Sequence, residues 1–231
     1  MNEVLRQEKK YLLTAVDALR FSGRLEKAML ADAHNGALGY TIRSLYFDTP
    51  YDTDYEEKTQ GLALRRKIRL RCYDPNAGFA MLEVKQKSGA LQKKRSLRME
   101  RDDAARLIDG DRAVLLRYPD PFAAEVYGLM TLAGYRPKTV VEYKRKAFIA
   151  KENKIRVTFD SDIRANEANF AIFSENLPLT PVFPGFNTVM EVKYNGFLLS
   201  YIKDLLCMAD RAQLSVSKYC LARSVGLHDH F

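Results

Sequence analysis

Between Leu64 and Tyr73 the chain reads LRRKIRLRCY, and no other stretch narrows its folding options as strongly. At the two-residue period of a β-strand, Arg65, Lys67, Arg69 and Arg71 fall on one face, and Leu64, Ile68, Leu70 and Cys72 on the other. A single strand of this kind would ordinarily turn its charges to bulk water. Here the pattern is repeated. Phe79 to Lys87 groups Glu83, Lys85 and Lys87 on one face. Lys154 to Asp162 alternates Ile155, Val157 and Phe159 with Arg156, Thr158 and Asp160, and Asn187 to Lys193 puts Glu191 with Lys193. Several strands with cations and an occasional carboxylate on one face suggest a barrel with a charged lumen. Such a lumen would suit a polyanion accompanied by a divalent metal.

The remaining elements follow from periodicity and breakers. Val4 to Leu13 alternates as a first strand, with Arg6, Glu8 and Lys10 on one face. Thr14-x-x-Asp17 resembles a capping box and opens a helix expected to reach about Ala33, ended by Asn35-Gly36. Tyr40 to Asp48 is a strand, and a short helix around Asp52 to Lys58 leads into the arginine-rich one. Asp74-Pro75-Asn76 with Gly78, and Ser88-Gly89, mark hairpin turns. Leu91 to Glu100 carries Lys93, Lys94, Arg95 and Arg98, and helical patterns broken near Tyr118-Pro119 fill Asp102 to Gly134. Val140 to Ala150 and Lys154 to Arg164 form a hairpin across Glu152-Asn153. The proline-bearing stretch Ala165 to Gly185 reads as a surface connection. Helices are expected over Phe197 to Ala209 and Ser217 to Val225. No repeat or linker divides residues 1–231, so the expectation is one α+β domain.

Hydrophobic residues make up 47% and charged residues 29%, a balance that excludes disorder. No run approaches the roughly 18 apolar residues of a membrane span, and the first residues lack the layout of a signal peptide. Cys72, Cys207 and Cys220 have no paired metal spacing and read as thiols of a reducing compartment, so a cytoplasmic setting is expected. The net charge of +8 points to an anionic partner: nucleic acid, an acidic membrane surface or a phosphate-rich small molecule. Cations inside strong β patterns beside glutamates favour a metal-assisted phosphate site over nucleic acid, because a carboxylate repels a phosphate backbone unless a metal lies between them.

Neither G-x-x-x-x-G-K-[ST] nor G-x-G-x-x-G is present, which removes the P-loop and Rossmann cradles. The histidines, His34, His228 and His230, lie in a turn and at the tail, so histidine phosphotransfer and Ser-His-Asp catalysis are disfavoured. Direct phosphoryl transfer remains, a chemistry of positioning, cations and a metal. Arginine forks suit phosphoryl oxygens, lysine supplies a movable charge, and glutamates hold hard cations. Lys10, Arg69, Arg71, Lys85, Arg145, Arg156, Glu191 and Lys193 contain that inventory.

An ordered series of segments then resembles the VTC (vacuolar transporter chaperone) domain of the triphosphate tunnel, or CYTH-like, superfamily. The segments are Glu8-Lys9-Lys10-Tyr11, Ser44 to Asp48, Lys67 to Tyr73, Glu83-Val84-Lys85, Tyr143 to Phe148, Arg156 to Asp160, Met190 to Lys193 and Leu214 to Tyr219. The resemblance implies an antiparallel β-barrel tunnel of about eight strands with helices packed outside. It implies that Lys10, Arg69, Arg71, Lys85, Arg145, Arg156 and Lys218 bind the phosphate chain and carry the transfer. Lys94 or Arg95 would join them, depending on register, and Arg65, Lys193 and Ser217 complete the phosphate-binding set. Glu191 would be the main ligand of Mn²⁺ or Mg²⁺, with Glu8 and Glu83 as further metal candidates, and Tyr46 matches in type and place.

Two departures bear on function. Hydrolytic members of the superfamily open with Glu-x-Glu-x-Lys, where this chain has Arg6-Gln7-Glu8-Lys9-Lys10, and a cation in the first glutamate's place disfavours a water-activating two-metal site. Eukaryotic VTC proteins also carry an inositol-phosphate-sensing domain and membrane helices, neither of which is read here. Coupling to translocation or regulation would then be absent or fall to a partner, a membrane-bound protein among the options. The expected activity is transfer of the terminal phosphoryl group of ATP to inorganic polyphosphate. The alternatives are a metal-dependent triphosphatase, a non-catalytic polyphosphate- or phosphate-binding module, and a basic nucleic-acid binder.

Overall fold

The computed structural model describes residues 6–89, 91–182, 187–207 and 217–228. In chain order these form β1 (Arg6–Thr14), α1 (Ala15–Ala28), β2 (Leu30–Ala31), β3 (Tyr40–Asp48), α2 (Thr53–Thr59), β4 (Leu64–Cys72) and β5 (Phe79–Ser88). There follow β6 (Leu91–Glu100), α3 (Arg101–Ile108), a 3-10 turn (Arg112–Arg117), α4 (Pro121–Leu132), β7 (Arg136–Ala150) and β8 (Ile155–Asn166). The last elements are β9 (Thr180–Pro181), β10 (Asn187–Asn195), α5 (Ser200–Cys207) and α6 (Lys218–His228). Val4 and Leu5 of the expected first strand, Pro184 and Gly185, Ala209, Leu214 to Val216 and His230 lie outside the described residues.

Among the described residues the strands pair in the order β1-β10-β8-β7-β3-β4-β5-β6, with β2 added on β7 and β9 on β8. The fold is therefore an α+β antiparallel sheet of about ten strands with helices. The path begins at β1 and ends at β6, and among the described residues no pairing closes it into the barrel expected from the sequence. Eight of the strands lie on that path, and the two others are two-residue additions.

The chain divides into two compact units, each drawn from three separate segments. The first takes the described residues of Met1–Thr41, Tyr143–Ile163 and Pro181–Ser217. Its core joins Leu13 of β1, Val157 and Phe159 of β8, and Met190, Val192 and Tyr194 of β10 to Phe21 and Leu25 of α1 and Ile202 of α5. Within each strand these residues keep one parity, and the register sets them on one face, which leaves the opposite face of each strand for charge. The Thr14 cap is present: its hydroxyl oxygen accepts from the Asp17 amide at 3.2 Å, and the hydroxyl donates to the Asp17 carboxylate at 2.8 Å. α1 stops at Ala28 rather than near Ala33, because Met29 turns extended and Leu30–Ala31 pair with Ile149 and Phe148 of β7. Asn35 then clasps both backbone groups of Ala147, donating to its carbonyl at 2.7 Å and accepting from its amide at 3.0 Å. Pairing with β7 overrides helix propensity here. Gly39 (φ +83°) lies where a Cβ would come within 2.2 Å of the Arg145 carbonyl oxygen, so only glycine permits that approach.

The second unit takes the described residues of Ile42–Glu142, Arg164–Thr180 and Lys218–Phe231. Leu45 and Phe47 of β3, Ile68, Leu70 and Cys72 of β4, Ala80, Leu82 and Val84 of β5 and Met99 of β6 pack on Ala104 and Leu107 of α3 and Phe122, Val126 and Met130 of α4. Again one parity feeds the core and leaves the other for polar residues. The connection after Asn166 is not confined to the surface, because Ile172 and Leu177 are buried in this core. Arg43, itself buried, donates to the carbonyls of Ile172 at 2.9 Å and Ser174 at 2.6 Å and pairs with Glu142 at 2.7 Å. Cys72 and Cys220 are free thiols.

Candidate phosphate-binding faces

In the first unit, the parity left over by the core brings together residues from three strands. Lys10 stands opposite Glu191, and Glu8 opposite Lys193. Across β10, Glu191 faces Thr158, Lys193 faces Arg156 and Val189 faces Asp160. Lys10 pairs with Glu8 at 3.0 Å, while Lys193 is in close contact with Glu191 and lies 3.9 Å from Glu8. The two lysines answer this environment differently. Burial opposes the Lys10 ammonium, but Glu191 and Glu8 together outweigh it and hold its pKa above the ordinary lysine value. For Lys193 burial prevails over the same carboxylates, and its pKa falls.

Arg145 forms a two-pronged pair with the fully buried Asp160, Nε to Oδ1 at 2.6 Å and Nη2 to Oδ2 at 2.8 Å. Burial works against its charge, yet Asp160 overrides this and raises the arginine's pKa further. Arg156 is oriented by Asp32 at 2.8 Å and by the Tyr40 hydroxyl at 3.1 Å. Asp32 also accepts from the amide and ring of His34; although burial pushes its pKa up, the His34 hydrogen bonds and Arg156 bring it below the usual aspartate value.

In the second unit the corresponding face is built on β3 to β6. The registers align Tyr46 with Arg69, Arg69 with Glu83, and Glu83 with Ser96, and one step outward Lys67 with Lys85 and Lys94. Glu83 is the hub. Its Oε2 takes Arg69 Nε at 2.7 Å and Nη2 at 2.6 Å, with Arg71 Nη2 at 3.6 Å, and its Oε1 takes Lys94 at 2.5 Å. Burial alone would raise this carboxyl's pKa, but Arg69 and Arg71 drive it down to about 2. Arg69 Nη1 also donates to the Tyr46 hydroxyl at 3.1 Å. Burial favours the neutral phenol, yet Arg69 and Lys67 lower the Tyr46 pKa to about 8. Arg71 Nη1 donates to the Tyr73 hydroxyl at 3.3 Å, and its buried Nε has no hydrogen-bond partner among the described residues. A buried guanidinium donor on a cationic face suits an anionic oxygen.

Register puts Lys94 and Arg95 on different faces. Lys94 pairs with Lys85 on the charged face, whereas Arg95 pairs with Val84 on the other, where it forms an ion pair with Glu125 of α4 and lies over the Phe122 ring. Arg65 shares the charged parity but turns one nitrogen back to the Leu62 carbonyl at 2.8 Å. Ser217 is buried just before α6, and half-buried Lys218 is the first residue of that helix. Sequence reasoning gave no role to the groups that hold α6. The Tyr219 hydroxyl donates to Asp48 at 2.5 Å, and its ring lies 5.2 Å from that of Tyr46. Arg223 donates to Asp52 at 2.8 Å and Glu167 at 2.9 Å. Asp48 and Asp160 each end a motif quoted above, so their positions were visible; Asp32 belongs to no pattern.

The VTC domain family profile matches residues 5–226, and the chain belongs to that family. No curated protein matches it. Among solved structures it is similar to a candidate adenylate cyclase from Bacillus halodurans, with TM-score 0.55 and 11% identity over 94% of this chain and 96% of that one. It is also similar to the candidate adenylyl cyclase HpAC1 from Hippeastrum, described as having a dominant triphosphatase activity, with TM-score 0.57 and 15% identity over 94% and 95% of the two chains. At these identities the likeness is one of fold.

Proteins of this kind generally use divalent metal ions. Among the described residues no three His, Cys, Asp or Glu side chains gather into a metal-binding set. Glu191 and Glu8, hard oxygen donors interleaved with Lys10 and Lys193, fit a cation whose remaining ligands come from phosphate oxygens. Glu83 fits that use less well, because two arginines as well as Lys94 reach its oxygens, whereas the ion pairs of Glu191 and Glu8 are with lysines. Among the described residues no helix is long and apolar enough to cross a membrane.

Proposed function

We propose that this VTC-domain protein is a metal-dependent phosphotransferase that moves the terminal phosphoryl group of ATP onto inorganic polyphosphate. The observation that carries the proposal is the pair of strand faces on which arginines and lysines are held in fixed orientation by buried carboxylates. Cations locked in this way need no reorganisation when negative charge arrives, the condition for stabilising a charged transition state. In one unit Arg69, Arg71, Lys85, Lys94 and Arg65, with Lys218 from α6, hold phosphoryl oxygens. In the other Lys10, Arg145, Arg156, Lys193 and Ser217 do the same. Glu191, with Glu8 beside it, would hold Mn²⁺ or Mg²⁺, which when bound neutralises charge on the phosphates. Glu83 orients cations instead.

The transfer breaks the bond between the terminal phosphorus of ATP and its bridging oxygen, leaving ADP, and forms a bond to a terminal oxygen of polyphosphate. That acceptor oxygen is already ionised near neutral pH, so the step asks for alignment rather than a general base. The closed tunnel implied by the family resemblance is part of the same proposal. A triphosphatase is the second reading, favoured by the activity ascribed to HpAC1; Arg6, where hydrolytic members have a glutamate, weighs against it. Incubating the pure protein with ATP and Mn²⁺ separates the readings. ADP with inorganic polyphosphate is the expected result. ADP with free phosphate and no polymer would identify a triphosphatase, and tight polyphosphate binding with neither product would identify a binding module.

A further inference from the structure

In the first unit, Arg156 shares its carboxylate with a histidine. Asp32 follows β2 and is buried, and its two oxygens are divided between partners. Oδ2 takes Arg156 Nη2 at 2.8 Å, while Oδ1 takes the His34 amide at 3.0 Å and His34 Nδ1 at 2.9 Å. The backbone fixes this carboxylate in place, because the Asp32 amide donates to the Ala147 carbonyl and the Asp32 carbonyl accepts from the Asn35 amide, both at 2.9 Å. An ionised carboxylate only accepts, so Nδ1 carries the proton of the neutral imidazole and the second proton arrives at Nε2. The ring is 80% exposed and so open to exchange with water. Other elements bring charged or titratable groups to the same place. From β3, Tyr40 sets its ring 5.9 Å from that of His34, and its hydroxyl accepts from Arg156 at 3.1 Å. β7 backs the loop through the backbone of Arg145 and Ala147; its Arg145 is held by Asp160, and its Lys146 by Glu26 of α1. From β10, Lys193 stands opposite Arg156.

We propose that His34 is a positioning residue for Arg156: its protonation takes up part of the Asp32 charge, loosens the carboxylate's hold on the guanidinium, and so tightens the binding of phosphoryl groups as pH falls. The assignment rests on the proposed function, in which Arg156 holds phosphoryl oxygens. Imidazole is the side chain whose charge changes near neutral pH. While His34 is neutral, Asp32 and Arg156 cancel one another. Once it is an imidazolium, two cations share one carboxylate, and a net positive charge is left to meet an anion. An exposed pair of this kind contributes little to stability, so its titration acts on Arg156 without endangering the fold. The effect is reciprocal: an anion that draws Arg156 away from Asp32 must raise the proton affinity of His34.

The experiment titrates tripolyphosphate into the full chain, His34→Gln, His34→Lys, Arg156→Ala and the Arg156→Ala, His34→Gln double variant between about pH 8 and about pH 6, with circular dichroism to check folding. Protonation of the ligand is common to all five proteins, so affinity ratios report on the protein. The ratio of wild-type to His34→Gln affinity should rise by about threefold toward the acid end. His34→Lys, with a permanent charge, should hold the higher level throughout, and in the Arg156→Ala background His34→Gln should alter nothing. The chain has three histidines, His34, His228 and His230, so loss of a ring resonance in His34→Gln assigns the signal by NMR. The titration midpoint of that ring should rise by about 0.5 in pH when tripolyphosphate is bound, the same threefold expressed through linkage. In the free protein Arg156→Ala should raise it too, because Asp32 then has His34 to itself. Tripolyphosphate binding with the same pH dependence in wild type and His34→Gln would overturn the proposal and leave the proposed function standing. So would an effect of His34→Gln that persists without Arg156. Absence of tripolyphosphate binding at every pH would overturn the proposed function and this assignment with it.

Discussion

Glu83 shows how much one carboxylate can decide. Three cations from two neighbouring strands converge on it, and they hold its pKa down to about 2. A folded-state pKa below the ordinary glutamate value of 4.5 contributes stability that is complete above the unfolded pKa and is lost as pH falls through the folded one. That contribution is about 3 kcal/mol, in line with the cost of breaking a buried ion pair. Glu83→Gln should therefore lower stability by about this amount at pH 7, and denaturant titrations should show the gap between variant and wild type closing between about pH 4.5 and pH 2. A gap of constant size across that window would mean that the three cations do not depend on its charge. The alternation that exposed Glu83 in the sequence could not show this arrangement. Period two assigns a residue to a face, but its partner across the sheet is set by hairpin register. For the same reason Lys94 and Arg95 were indistinguishable until Val84 was found opposite Arg95.

Among the elements, α6 is held by named side-chain bonds. Asp48 receives the amides of Thr49, Asp54 and Tyr55 at 2.7, 2.9 and 3.0 Å as well as the Tyr219 hydroxyl, so a short helix is tied to the end of β3 through one buried carboxylate. Tyr219→Phe removes a donor from a charged acceptor and should cost about 2 kcal/mol. Amide exchange in α6 should quicken, and triphosphate affinity should fall because Lys218 is the first residue of the helix. Unchanged exchange would place the anchor elsewhere, with Arg223 the next residue to replace. Strands and helix starts were legible in the sequence because alternation and the Thr14 cap are local signals. The stop of α1 at Ala28 and the burial of Ile172 and Leu177 were not, because both depend on what distant segments supply: a partner strand in one case and the Arg43 guanidinium in the other.

At the scale of the whole molecule, metal use and anion grip should separate. Glu191→Gln removes a negative charge from beside Lys10 and Lys193, so turnover should be abolished while triphosphate binding weakens little. Arg71→Ala should instead weaken binding by roughly 10- to 150-fold. Calorimetry with a non-hydrolysed triphosphate, beside product assays, distinguishes the two; equal loss of binding in both variants would refute the division of roles. The discontinuity of the two units has a different consequence, one of inheritance. Each unit is drawn from three stretches that alternate along the chain, so no single cut yields one unit whole. A crossover that exchanged everything after Glu142 would replace β10 and most of β8 in one unit and, in the other, the helix that carries Lys218, while leaving both with foreign partners. Such a chain could hardly acquire one set of cations from a relative and keep the other. Its two units are bound to change together, by point substitution, as one unit of selection.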